Sequence, residues 1–137
     1  EEVDVLFIGW LNERRQAIYD QLKELDPSLN VIFSSKSWGV SRDELIAKSK
    51  IVLNIHYYET GILETPRVSY MVANKKFVIS ESSLAQDEQE WPGVVFVPHE
   101  KIAETTLFYI NQPDKRIASV SKAYNHFKNK ELATSLH

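Results

Sequence analysis

The 137-residue sequence predicts an α/β fold, a parallel sheet of five strands covered by helices on both faces. Three observations predict it. Five short apolar runs rich in β-branched residues recur along the chain, too short for helices and too continuous for strands exposed on one face. Helix patterns separate them in turn, and strand-helix-strand alternation requires parallel pairing through crossovers. Composition agrees: 43% hydrophobic and 26% charged residues, with only four glycines and five prolines, suit one folded domain and not a disordered chain.

VDVLFI, residues 3 to 8, is the first strand and ends at Gly9. NERRQAIYDQLKELDP follows with Ile18, Leu22 and Leu25 on one helical face, Asn12 as N-cap and Pro27 just past the end. NVIFSS (30 to 35) is the second strand, and SRDELIAKS opens a short helix with Ser41 and Glu44 at capping-box spacing. KIVLNIH (50 to 56) is the third strand; Thr65 and Pro66 suit the N-cap and first turn of a helix reaching about Asn74. KFVIS (76 to 80) and GVVFV (93 to 97) complete the sheet. PHEKIAETTLFYINQ is helical with Ile102, Leu107 and Ile110 inward, and a terminal helix runs beyond Pro113. Residues 1–137 thus form a single Rossmann-like domain with strand order 2-1-3-4-5. In such a sheet ligands bind beyond the carboxyl ends of the strands where the order reverses, here between strands 1 and 3. Those two ends carry GWLNERR and HYYETGILETPR.

Several chemistries are excluded or disfavoured. A net charge of −3 argues against non-specific nucleic-acid binding, which needs a basic face. The absence of cysteine removes disulfides and thiolate metal sites, and His56, His99, His126 and His137 lack zinc-ligand spacing. No apolar run approaches a membrane span and no signal-peptide pattern opens the chain, so a soluble, cytoplasmic protein is expected. The opening EEVDVLF has no Met and enters a strand at once, as a piece of a longer chain would. Gly9 is followed by Trp-Leu-Asn, so no dinucleotide fingerprint is present, and Walker A and G-x-S-x-G motifs are missing as well. A receiver domain fails for want of an acidic pair after strand 1.

An anion site remains. Arg14 and Arg15 lie in the first turn of the helix after strand 1, beside free amides and the positive end of the dipole, and Thr65-Pro66-Arg67 starts a second helix pointing at the same crevice. Two cationic helix starts facing one slot fit a diphosphate. The alternative for Arg14 and Arg15 is a solvated pairing with Glu13 or Asp20.

These residues resemble the C-terminal, nucleotide-sugar-binding half of GT-B fold glycosyltransferases, particularly the group 1-like families, over nearly the whole chain. In that family strand 1 runs into a Gly, and a basic residue six positions on contacts the donor phosphates; Gly9 and Arg15 stand at that offset. VIFSSKSWGVSRDELIAKSKIVLNI resembles the strand, base-holding loop and short helix, which implies that Ser37, Trp38, Gly39 and Val40 hold the base. ETPRVSYMVANKKFVISES resembles the helix that presents acidic residues to donor sugar and ribose. Ile62 and Tyr70 stand where the family has paired glutamates, Trp10 where many members have an Arg, and Lys75 where they have a turn glycine. The resemblance implies a UDP- or GDP-sugar donor, no metal or other cofactor, and an acceptor-binding second domain. Glu64 and Arg15 would be the catalytic pair, with Glu64 or Glu59 supplying the missing carboxylate. Donor contacts would come from Gly9, Trp10, Arg14, Trp38, Gly39, Val40, His56, Tyr57, Glu59, Thr65 and Arg67. Several of these keep a plainer role open: His56 as a backbone cap, Tyr57 as packing, Trp38 as a loop anchor, Glu64 as a dipole complement, and the whole chain as a non-catalytic binding or assembly module.

Overall fold

A computed structural model describes residues 2–37, 39–59, 63 and 65–135, with side chains as far as 133. Five strands, β1 (Val3–Ile8), β2 (Val31–Ser34), β3 (Ser49–Asn54), β4 (Phe77–Glu81) and β5 (Val95–Val97), form one sheet in the order β2-β1-β3-β4-β5. Every pairing is parallel. The helices are α1 (Glu13–Leu25), α2 (Gly39–Ala47), α3 (Thr65–Ala73), α4 (Ala85–Gln89), α5 (Ile102–Ile110, after a 3-10 turn at His99–Lys101) and α6 (Pro113–Ser135).

Alternation along the strands sorts the core into two layers. Val5, Phe7, Ile51, Leu53, Phe77 and Ile79 face Ile18 and Leu22 of α1 and Ile102 of α5. Their neighbours Leu6, Val52 and Val78 face Ile46 of α2, Val68, Met71 and Val72 of α3, and Ala123 of α6. Burial of each such side chain contributes about 1.5–3 kcal/mol, so both sheet faces must stay covered. That double cover is why the strands read as continuous apolar runs.

Several boundaries differ from expectation. Leu25 is exposed because it is the last residue of α1, beyond the stretch that Ile18 and Leu22 hold against the sheet. The second helix starts at Gly39, whose φ of +52° turns the chain into it early, so Ser41 lies inside α2 and does not cap it. Thr65 is the first residue of α3 and not its cap. β4 runs one residue further than expected, which carries Glu81 into the sheet as a buried carboxylate.

Two turns fix the far layer. After α3 the Lys75 amide donates to Val72 O at 2.9 Å and the Lys76 amide to Met71 O at 3.1 Å, a Schellman closure with Lys75 at the left-handed position, φ 58°. A lysine there costs about 1–2 kcal/mol that a glycine would not. Before β5, Gly93 (φ +92°) meets α6 so closely that a Cβ would stand 2.5 Å from Ala123 N and 2.6 Å from Ser119 O. Trp91 stacks on Phe127 just beyond, with ring centroids 6.3 Å apart.

Candidate functional site

The order reversal between β1 and β3 opens a crevice at the carboxyl edge of the sheet, and α1 enters it through Asn12. The Asn12 carboxamide oxygen accepts from the Arg15 amide at 2.9 Å, capping α1, while its Nδ2 donates to Tyr57 O at 2.9 Å. One side chain therefore ties the start of α1 to the loop after β3.

Arg15 is 2% exposed and crosses the floor of the crevice. Its Nε and Nη2 donate to Ile55 O at 3.0 and 2.8 Å, and Nη1 donates to Trp10 O at 2.6 Å. The guanidinium lies 4.9 Å from the Phe7 ring centroid and 5.2 Å from that of Tyr57. The planar fork with its five donors spreads these bonds over three nitrogens and two loop carbonyls while its face stays against the rings. Arg15 thus holds the crevice together from beneath instead of lining it.

Arg14 turns to the other side. Its Nη1 reaches Glu81 Oε1 at 2.5 Å and His56 O at 3.0 Å, and Nη2 pairs with Glu81 Oε2. Glu81 also accepts from the His56 amide at 3.0 Å. Burial alone would push the Glu81 carboxyl up, but the Arg14 fork and the His56 amide overcome it and hold the carboxyl below the usual range. The same pairing raises Arg14. Among the described residues neither arginine pairs with Glu13 or Asp20: Arg14 meets Glu81 and His56 O, and Arg15 meets Ile55 O and Trp10 O.

His56 is 2% exposed beneath this pair. Its Nε2 lies 3.0 Å from Ser82 O and 3.3 Å from Ser83 Oγ. A carbonyl partner makes Nε2 the protonated nitrogen and leaves Nδ1 a lone-pair acceptor. Among the described residues neither His56 Nδ1 nor the nearby Asn54 Oδ1 has a hydrogen-bond partner, although both are buried. Two buried polar atoms at the end of β3 are thus left unsatisfied within the fold.

A cleft of about 370 Å³ on this edge lies between the ends of β1 and β2 and the start of α3. Gly9 and Trp10 meet Arg67 there, and the β2–α2 side adds Ser35, Ser37 and Arg42. A Cβ on Gly9 would come 3.0 Å from Arg67 Nη2, so the bare glycine is what allows that guanidinium to cross the end of β1. Arg67 also stands 5.5 Å from the Phe7 ring, the ring that Arg15 meets. Opposite, the Arg42 guanidinium lies 4.4 Å over Tyr70, whose hydroxyl donates to Asp43 at 2.5 Å. That hydrogen bond raises the Tyr70 hydroxyl above its ordinary range. Trp10 is 72% exposed at the lip, a large flat surface with nothing packed over it.

Of the sequence candidates, Gly9, Trp10 and Arg67 converge on this cleft. Arg14 and Glu59 instead border a second hollow beside Glu81, Pro98 and His99, where His99 Nε2 donates to Arg14 O at 3.0 Å. Gly39, Val40 and Thr65 are exposed at the helix starts nearby, and Tyr57 packs edge-on against Tyr58 at 4.8 Å. Trp38 and Glu64 lie outside the described residues. Arg42, Tyr70 and Glu81 carry the site's electrostatics without having been singled out for it. The one usable signal for Arg42 was its place in the first turns after strand 2, on the side facing α3.

No family model matches the chain. It is similar to three uncharacterized proteins of Acanthamoeba polyphaga mimivirus. It is 29% identical to L140 over 140 residues (99% of this chain, 46% of that one) and 30% identical to R358 over 135 residues (94% and 47%). It is 27% identical to L138 over 141 residues (99% and 16%). The chain thus spans about half the length of two of these relatives and far less of the third.

Proposed function

We propose that this chain is the donor-binding domain of a GT-B-like glycosyltransferase and takes a UDP- or GDP-sugar at the carboxyl-edge cleft. The observation that carries the reading is the guanidinium of Arg67 laid across the end of β1 against Gly9, with Arg42 on the facing wall of a cleft of nucleotide size. The diphosphate meets Arg67, Arg42 and the amides at the start of α3; the base lies toward Ser35, Ser37 and Trp10. Charge on the departing diphosphate is then met by fixed cations and a helix dipole aimed where it develops. Acceptor and general base come from a second domain. The matched relatives support this, because the same unit occupies 46% of one chain and 16% of another, as a domain reused beside different partners does.

A second reading, a nucleotide-sugar-binding module without transfer, draws on the Arg14–Glu81 pair. The arginine beside the crevice is already neutralised by a buried carboxylate, which leaves less cationic charge for a leaving group. Calorimetry with UDP- and GDP-sugars tests the shared core of both readings. Binding to one class is expected, weakened about tenfold or more in Arg67→Ala, as one lost charge-assisted contact implies. A folded chain that binds neither class refutes both. Donor-dependent sugar transfer by the full-length protein separates the enzyme from the module.

A further inference from the structure

A larger cavity lies on the opposite edge of the sheet from the cleft described above. It measures about 600 Å³ and is walled by the amino ends of β3 and β4 and the first turns of α6. Lys50, Lys75, Lys76 and Arg116 all line it, and no acidic residue does, in a chain whose net charge is −3. Asp4, paired with Lys50 at 2.9 Å, is the one carboxylate that meets any of the four among the described residues. Lys76 Nζ sits on Ala47 O and Ser49 O at 3.2 and 3.0 Å, and Arg116 Nη1 on Tyr109 O and Ile110 O at 2.5 and 2.8 Å. These bonds to carbonyls orient the two side chains, and Asp4 draws on Arg116 as well as on Lys50. Lys75 meets only a ring face, 4.8 Å from the Tyr124 centroid.

Lys75 is the telling residue. It occupies the left-handed position of the turn after α3, where glycine is at ease and lysine is strained. The strain places an ammonium at the mouth of the cavity. The remaining wall is mixed, Ser121 and Asn125 beside Phe77, Val120 and Tyr124, and Ile117 is 68% exposed there, a large side chain left bare beside four cations.

We infer that this amino-edge cavity binds a small phosphorylated molecule with an apolar body, its phosphate on Lys75, Lys50 and Arg116 and its body against Ile117, Val120 and Tyr124. The site is separate from the proposed donor cleft and does not depend on it. Phenyl phosphate is the probe, with phenol and inorganic phosphate as controls, read by amide chemical shifts of the 137-residue chain. Saturable shifts are expected at Lys75, Lys76, Ile117 and Tyr124, with affinity about tenfold above either control. Lys75→Gly is expected to keep a melting temperature no lower than the parent's while losing most of that affinity, and Lys75→Gln to lose it with the strain retained. Three results overturn the inference: no saturable shift at these amides, shifts confined to Gly9, Trp10 and Arg67, or Lys75→Gly binding as tightly as the parent.

Discussion

Arg15→Lys separates a brace from a phosphate ligand. The substitution keeps the charge and most of the stem but replaces a three-bond fork with one compact ammonium. Of the hydrogen bonds to Ile55 O and Trp10 O, an ammonium in the same space reaches one carbonyl and abandons the other. Two charge-assisted bonds lost at about 1.5 kcal/mol each, the low end of their range, give about 3 kcal/mol. The stacking on Phe7 and Tyr57 weakens as well and adds about 0.5 kcal/mol or more. With a urea m-value of about 1.5–2 kcal/mol/M, reasonable for a chain of this size, the midpoint falls by about 2 M. The assay is urea unfolding followed by far-UV circular dichroism at pH 7. Were Arg15 instead a ligand contact with a solvated head, stability would hold and only diphosphate affinity would fall. A midpoint within about 0.3 M of the parent, under about 0.6 kcal/mol, refutes the bracing role.

The remaining expectations follow from packing and charge. Gly93→Ala forces a methyl to within 2.5 Å of the α6 backbone at a φ of +92°, so it should cost about 2 kcal/mol or more and expose α6 to limited proteolysis; unchanged protease resistance would contradict the contact. Glu81→Gln leaves the Arg14 guanidinium in the wall without its countercharge, at a cost of about 3 kcal/mol at pH 7 by thermal or denaturant unfolding. The pH dependence has a definite sign. The Glu81 carboxyl is lowered in the fold, so its contribution is fully present above the unfolded value of about 4.3 and is lost as pH falls through the folded value. The parent should therefore lose stability below about pH 5 more steeply than Glu81→Gln, and parallel acid limbs would exclude Glu81 as a source.

The sheet was legible because a parallel strand buried on both faces has no choice of side chain. Leu6 and Phe7 point to opposite faces and are both fully buried, so apolar runs mark the strands and the helices between them fix the pairing. Strand order placed the reversal between β1 and β3, whereas the cleft lies to one side of it, between the ends of β1 and β2 and the start of α3, with Gly9 in its lining. Side-chain direction was not legible. Arg14 and Arg15 are adjacent in sequence, and a helix sends neighbours about 100° apart, one onto Glu81 and the other under Phe7. Nothing local distinguishes them, because the partners that decide, Glu81 and Ile55, come from strands 67 and 40 residues away. Lys75 stands on the other side of that limit. The family resemblance set it at a turn glycine, and the backbone adds that this lysine does hold the left-handed conformation, φ 58°.

The division of labour among the four arginines at this edge follows from which helix carries each. Those on α1 approach from the α1–α5 layer, where Arg14 meets the buried Glu81 and Arg15 the bared carbonyls after β1 and β3. Those on α2 and α3 approach from the other layer across Gly9, where the chain leaves a cleft open. Phe7 connects the two sets, since its ring meets both Arg15 and Arg67. A change at Arg15 therefore reaches the cleft through the ring that positions Arg67, and its effect on ligand affinity should scale with lost order and not with lost charge. Arg15→Lys, which conserves charge, and Arg15→Met, which does not, should then weaken donor binding to a similar degree. On the proposed donor reading, Arg67→Lys and Arg67→Met should differ, because there the charge itself would meet the diphosphate.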